Sequence, residues 1–171
     1  FPKDTLALCR IAQEHGVSSR IVESVIEVNA SQKARMVAKI RDALGGSVAD
    51  RRIAILGLTF KPETDDMRDA PSLAILPALI DRGAEIRAHD PQGMDEARGL
   101  LPEAVTYADS IEAATRDADA VVLMTEWNAY RGLDLAALAG RMRGDVFVDL
   151  RNVYERHLME RAGLRYTSVG R

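Results

Sequence analysis

A single cysteine in 171 residues excludes an internal disulfide and fits a reducing compartment. Aromatic residues make up only 5% of the chain and no basic tract interleaves with them, so the footprint of a nucleic-acid binder is missing. The formal charge of -3 adds no global attraction for polyanions. No apolar run approaches the ~20 residues needed to cross a bilayer and no signal-peptide pattern opens the chain, so no membrane partner is expected and the cytoplasm is the default compartment. The histidines His15, His89 and His157 are too scattered to suggest a ligand set, and no metal is expected. A GxGxxG fingerprint is also missing. Only Gly57 precedes Leu58-Thr59-Phe60 after the first candidate strand, which argues against this chain holding a dinucleotide alone.

What is present is enough apolar residue, 47% against 29% charged, to bury a real core. Leu6, Leu8, Ile11 and Ala12 mark a helix over residues 5–15, stopped by Gly16. A second, long helix follows Ser18 or Ser19 as N-cap. Its apolar positions Ile21, Val22, Val25, Ile26, Val37, Ile40 and Leu44 keep a period near 3.6 until Gly45-Gly46. That pattern suits a spacer or pairing surface as well as a helix packed on its own domain.

From Arg51 onward short apolar runs alternate with helical patterns, the signature of βαβ units and a parallel sheet. Strands are expected over 52–58, 85–89, 120–124, 146–150 and 165–169, and helices over 72–82, 94–101, 110–115, 133–140 and 153–161. The fold class expected is α/β: a helical lead-in over 1–46, then a doubly wound, mainly parallel sheet of five or six strands over 47–171.

Ligands of such sheets bind outside the carboxyl ends of the strands. The first strand runs into Phe60-Lys61-Pro62-Glu63-Thr64-Asp65-Asp66-Met67-Arg68-Asp69-Ala70-Pro71-Ser72, longer than an ordinary βα connection of about 2–6 residues. Lys61 and Arg68 put cations there, and the helix N-terminus that follows could offer amides to an anion. At the second strand end, Asp90 before Pro91 reads as an Asx-turn or as an acid for a ribose hydroxyl. The third ends in Thr125-Glu126-Trp127-Asn128. The fourth ends in Asp149-Leu150-Arg151-Asn152, where Arg151 could fork onto a phosphate or carboxylate, or simply pair with Asp149 or Glu155. Asn29 and Gln32, three apart on one helix face, read as structural. Cys9 lies within the first helical pattern, without the electropositive, exposed setting of a reactive thiol, and reads as packing.

Five ordered segments carry a resemblance. They are Phe1-Pro2-Lys3-Asp4-Thr5-Leu6-Ala7-Leu8, Val28-Asn29-Ala30-Ser31-Gln32, Gly57-Leu58-Thr59-Phe60-Lys61-Pro62 continuing through Thr64-Asp65-Asp66-Met67-Arg68, Thr125-Glu126-Trp127, and Asp149-Leu150-Arg151-Asn152. Together they resemble the C-terminal part of the UDP-glucose/GDP-mannose dehydrogenase family, over essentially the whole chain. Phe-Pro-Lys-Asp and Phe-Lys-Pro look closest to the UDP-glucose 6-dehydrogenase branch; a GDP-mannose or UDP-N-acetylhexosamine enzyme, or a non-enzymatic nucleotide-binding module, is the alternative.

The resemblance implies a Rossmann-like domain that binds a UDP-sugar, and a parent enzyme that oxidises the C6 alcohol to a carboxylate. That chemistry passes through a cysteine thiohemiacetal and thioester and uses two NAD. The family pattern sets that cysteine immediately before Phe1, and an upstream Rossmann domain holds most of the NAD. The abrupt start at Phe1, without an initiator methionine, is accordingly read as the edge of a fragment that is inactive alone. Carried over by position, Asp4 matches a supporting acid near the thiol, with N-capping as its alternative. Lys3 and Arg68 match cofactor contacts, and Phe60, Lys61 and Arg151 match substrate contacts. Leu150 departs from the glycine that many members carry there. The long helix from Ser19 to Leu44 is implied as the domain connector and the core of a homodimer.

Overall fold

The apolar runs of this chain become strands buried on both faces, as a parallel sheet covered by helices requires. The computed structural model describes residues 2–170. Two helices lead in, α1 (Pro2–Glu14) and α2 (Arg20–Ala43), followed by β1 (Arg52–Leu56), α3 (Ser72–Ile80), β2 (Glu85–His89), α4 (Met94–Arg98) and β3 (Thr106–Tyr107). Then come α5 (Ile111–Thr115), β4 (Ala120–Leu123), α6 (Asn128–Arg131), α7 (Leu135–Arg141), β5 (Val146–Asp149), α8 (Arg156–Arg161) and β6 (Arg165–Ser168).

The sheet has six strands in the order β3-β2-β1-β4-β5-β6, and every neighbouring pair is parallel. This is the doubly wound, Rossmann-like order, with the chain reversing direction across the sheet between β1 and β4. The register levels the strand ends: Leu56 pairs with His89 and with Leu123, Leu123 with Asp149, and Asp149 with Ser168. Five loops therefore leave from one edge.

Because successive strand residues face opposite ways, Ile53 and Ile55 enter one core while Ala54 and Leu56 enter the other. The first core takes Val37 and Ile40 of α2 and Ile75, Leu76 and Leu79 of α3. The second is closed by Trp127, Tyr130, Leu138 and Met159. The last turns of α2 are thus part of the sheet's own core, and Lys39 Nζ adds a 2.9 Å bond to the carbonyl of Ser168.

Several boundaries differ from the sequence expectation for identifiable reasons. β1 stops at Leu56 because Gly57 has φ +95, outside strand geometry. β3 has two residues, too few to show a period. α8 begins at Arg156, three residues later than its apolar pattern, since Val153 and Tyr154 give their amides to the Asp149 carboxylate. Short α6 follows directly on the motif ending in Trp127.

Candidate functional site

Two wholly buried carboxylates shape the edge where the strands end. Asp90, just past β2, is 0% exposed and accepts five N–H groups. Gln92 at 3.0 Å and Gly93 at 2.8 Å reach Oδ1; Leu58 at 2.7 Å, Thr59 at 3.2 Å and the Trp127 indole at 3.1 Å reach Oδ2. The Asx-turn read from the sequence is present, and the same side chain also fixes the β1 and β4 loops. Asp149 does the corresponding work at the end of β5. It accepts the amides of Arg151 at 2.9 Å, Val153 at 2.7 Å and Tyr154 at 3.0 Å, with the Tyr166 hydroxyl 2.9 Å away.

Gly57 is the third anchor. A Cβ there would lie 2.5 Å from Thr125 Cβ, so the β1 and β4 loops touch through a glycine, and Thr125 Oγ1 donates to the Thr59 carbonyl at 2.6 Å. This contact occupies the crevice where a dinucleotide fold opens for a pyrophosphate. The Asp90 carboxylate that could have taken a ribose hydroxyl is already fully bonded. The residues at this switch point therefore do not fit a dinucleotide.

The cleft lies beside this closed crevice, between the lead-in helices and the sheet edge. It measures about 500 Å³, and its walls include Phe60, Met124 and Arg151 from the strand ends and Asn29, Gln32 and Lys33 from α2. Phe60 is 38% exposed, an unusual state for a large aromatic. Asn29 and Gln32, read from the sequence as structural, line this cleft, because the turn of α2 that carries them lies opposite the β1 loop. Lys33 had no separate signal in the sequence; its Nζ stands 3.4 Å from the carbonyl of Asp69 in that loop.

Arg151 does not pair with Asp149 or Glu155. Its guanidinium makes a two-bond ion pair with Glu126 of the β4 loop, through Nε and Nη2, the latter 2.7 Å from Oε1. Asp149 accepts only its backbone amide. Burial pushes the Glu126 carboxyl up, but the hydrogen bond and charge of Arg151 outweigh this and hold it below the usual range.

The remaining expected residues stand outside the lining of this cleft. Lys61 is next to Phe60, its ammonium 5.1 Å from the ring centroid. Arg68 lines a second, shallower recess with Thr64, Asp66 and Glu96, and is held by Asp66 through Nη2 at 2.5 Å and Nε at 2.9 Å. Lys3 and Asp4 are exposed in the first turn of α1, with Thr5 in the cleft wall. Since α1 starts at Pro2, Asp4 is inside the helix and not its N-cap. The amides expected at the start of α3 are engaged, Leu73 with Ala70 and Ala74 with Pro71, both at 3.1 Å, so they form no open anion cradle. Cys9 is 7% exposed, as a packing residue should be.

Among the described residues no helix is long and apolar enough to cross a membrane, and no three His, Cys, Asp or Glu side chains gather as a metal set.

Comparison with known proteins agrees with this architecture. The chain is 47% identical over all 171 residues to the UDP-glucose 6-dehydrogenase of Rhizobium meliloti (strain 1021) and covers 39% of that protein, its C-terminal part. It is 40% identical over its whole length to the UDP-glucose 6-dehydrogenase TuaD of Bacillus subtilis (strain 168), covering 37% of it. Among solved structures, a UDP-glucose dehydrogenase from Pyrobaculum islandicum superimposes with a TM-score of 0.80 at 36% identity, over 92% of this chain and 34% of that one. The chain thus spans about two-fifths of the length of the curated relatives it matches. The profile of the UDP-glucose/GDP-mannose dehydrogenase family, UDP binding domain, matches residues 54–156, more than half of the chain, which therefore belongs to that family.

Proposed function

We propose that the cleft between α2 and the sheet edge binds the UDP part of a nucleotide sugar, and that the chain is the substrate-binding portion of an NAD-dependent UDP-glucose 6-dehydrogenase. The observation that carries this reading is the meeting of an exposed aromatic ring, Phe60, and a forked cation, Arg151, in one cleft at the strand ends. A nucleotide diphosphate asks for a stacking or apolar wall beside fixed positive charge, and Arg supplies two parallel donors to an oxyanion. Lys33 and Lys61 add charge at the same edge.

The reaction proposed for the whole protein oxidises the C6 alcohol of UDP-glucose to the carboxylate of UDP-glucuronate, with two NAD reduced and one water consumed. NAD supplies the hydride acceptor in that reaction, and the switch point of this sheet, closed by Gly57 and Thr125, is not where it is held. Cys9, buried in α1 and outside the cleft wall, is not the cysteine of the thiohemiacetal. The chain alone is accordingly proposed to bind without catalysing. Asp4, in the exposed first turn of α1 beside the cleft residue Thr5, is assigned the supporting role near the thiol. Lys3 and Arg68 are assigned to the cofactor. The compartment proposed is the cytoplasm.

Residues 1–46 are proposed as the pairing segment of a homodimer and 47–171 as the nucleotide-sugar domain. Supporting the first is an exposed apolar set on and between the lead-in helices, with Ile21 at 82%, Val17 at 60% and Val28 at 56%. Such exposure is costly in water and is typical of a surface that meets a partner. Sedimentation of the chain as a monomer only, at tens of micromolar, would contradict the dimer.

Calorimetric titration with UDP tests the site. Binding that Arg151→Ala and Phe60→Ala each weaken is expected, and equal affinity in all three proteins would overturn the assignment. GDP titrated in parallel separates the UDP reading from the GDP-mannose one.

A further inference from the structure

The pair formed by Arg151 and Glu126 leaves a question that the binding of a diphosphate alone does not answer: why a cation meant for an anion already has one. Arg151 carries five N–H donors in a rigid fork. Glu126 takes one from Nε and one from Nη2. Nη1 and the second Nη2 hydrogen have no partner among the described residues. Glu126 thus occupies one edge of the guanidinium and leaves the other edge for a ligand.

Glu126 is itself unusually well fixed. The preceding Thr125 donates its hydroxyl to the Thr59 carbonyl at 2.6 Å, and the following Trp127 donates its indole to Asp90 at 3.1 Å. Both neighbours are almost fully buried, at 1% and 3% exposure. Arg151 starts from a backbone equally fixed, its amide bonded to the buried Asp149. A flexible side chain is therefore clamped at its root by Asp149, the last residue of β5, and at its head by Glu126 in the loop after the neighbouring strand β4. The Glu126 side chain is 22% exposed against 38% for Arg151, and only the arginine lines the cleft.

From this geometry we propose that Glu126 is a positioning residue: it holds Arg151 by the Nε–Nη2 edge so that the Nη1–Nη2 edge stands ready for the diphosphate of the bound nucleotide. Pre-ordering the fork removes the rotamer entropy that a free arginine loses on binding. It also lowers the net charge of the cleft, so the gain comes from geometry and not from attraction. This inference rests on the UDP reading of the cleft and deepens it by naming the group that aims its cation.

The test is a double-mutant cycle on the full chain, titrated calorimetrically with UDP and with uridine, which lacks phosphate. Glu126→Ala is expected to weaken UDP binding about tenfold, the size of one lost charge-assisted bond, while uridine binding stays at the parental value. Glu126→Gln keeps an oxygen that accepts from Nε or Nη2 and should restore most of the loss. Adding Glu126→Ala to Arg151→Ala should cost nothing further. UDP binding by Glu126→Ala as tight as, or tighter than, the parent would overturn the inference and make Glu126 a competing anion. Additive losses, or an equal loss for uridine, would overturn it as a general effect on the fold. If Arg151→Ala weakens UDP and Glu126→Ala does not, the positioning role fails while the site stands; if the parent chain binds no UDP, both fall.

Discussion

The indole N–H of Trp127 donates to Asp90 Oδ2 at 3.1 Å, and this bond joins the β4 loop to the end of β2 across the end of β1. The carboxylate that a dinucleotide fold turns toward a ribose is here turned inward, holding three loops in one arrangement. Closing the crevice in this way leaves the neighbouring cleft against α2 open beside the strand ends.

Asp90→Ala should therefore damage the fold, since five buried or half-buried N–H donors lose their acceptor at once. Each stranded donor carries a desolvation cost, and a loss of about 3 kcal/mol or more is expected in urea unfolding. A change below 1 kcal/mol would show that water or a rearranged loop replaces the carboxylate.

Gly57→Ala is predicted to cost about 1–3 kcal/mol from the left-handed backbone, before any clash is counted. At φ +95 the added methyl would stand 2.5 Å from Thr125 Cβ, so the β1 and β4 loops must separate. Thermal unfolding followed by circular dichroism reads the loss; an unchanged midpoint would contradict the close approach.

Asp66 provides a pH prediction. The side-chain hydrogen bond from Arg68 is the main cause that lowers its carboxyl from 3.8 to about 2. A depressed folded value means that the pair contributes stability above the unfolded value of 3.8, and that this contribution is lost as pH falls from there to about 2. Arg68 is open to solvent and Asp66 partly so, and added salt should therefore weaken the effect. Carboxyl-carbon NMR titration should give about 2 for the parent and a value returned toward 3.8 in Arg68→Gln. An Asp66 titration indifferent to that substitution would rule out the pair in solution.

Arg151→Lys keeps the charge but removes the fork, and with it the two-bond pair to Glu126. UDP affinity should fall about tenfold. Full retention of affinity would mean that charge alone is recognised.

Much of the sheet was legible because buried parallel strands leave continuous apolar runs. The stretch at 85–89 matches β2 residue for residue, and those at 120–124, 146–150 and 165–169 overrun their strands by one residue. β3 was not legible: Thr106 and Tyr107 pair with Arg87 and Ala88 through backbone alone, with no alternating pattern to announce them. Phe60 and Arg151, expected as substrate residues from their motifs, do share one cleft. That Asn29 and Gln32, read as structural, line the cleft was not legible, because spacing three apart says that two residues share a face, not what the face looks at. Arg68, drawn into the same loop by sequence, turns to a different recess with Asp66.

The sequence by itself determined the order of strands and helices and the loops that carry cations, since periodicity, glycine breaks and charged junctions are local properties of the chain. Tertiary structure alone decided the partners of Arg151 and Asp90. Glu126 and Arg151 are 25 residues apart, and Asp90 and Trp127 are 37 apart. Only the pairing of β1 with β4 and of β4 with β5 brings their loops to one edge, and hydrogen bonds depend on that nearness in space.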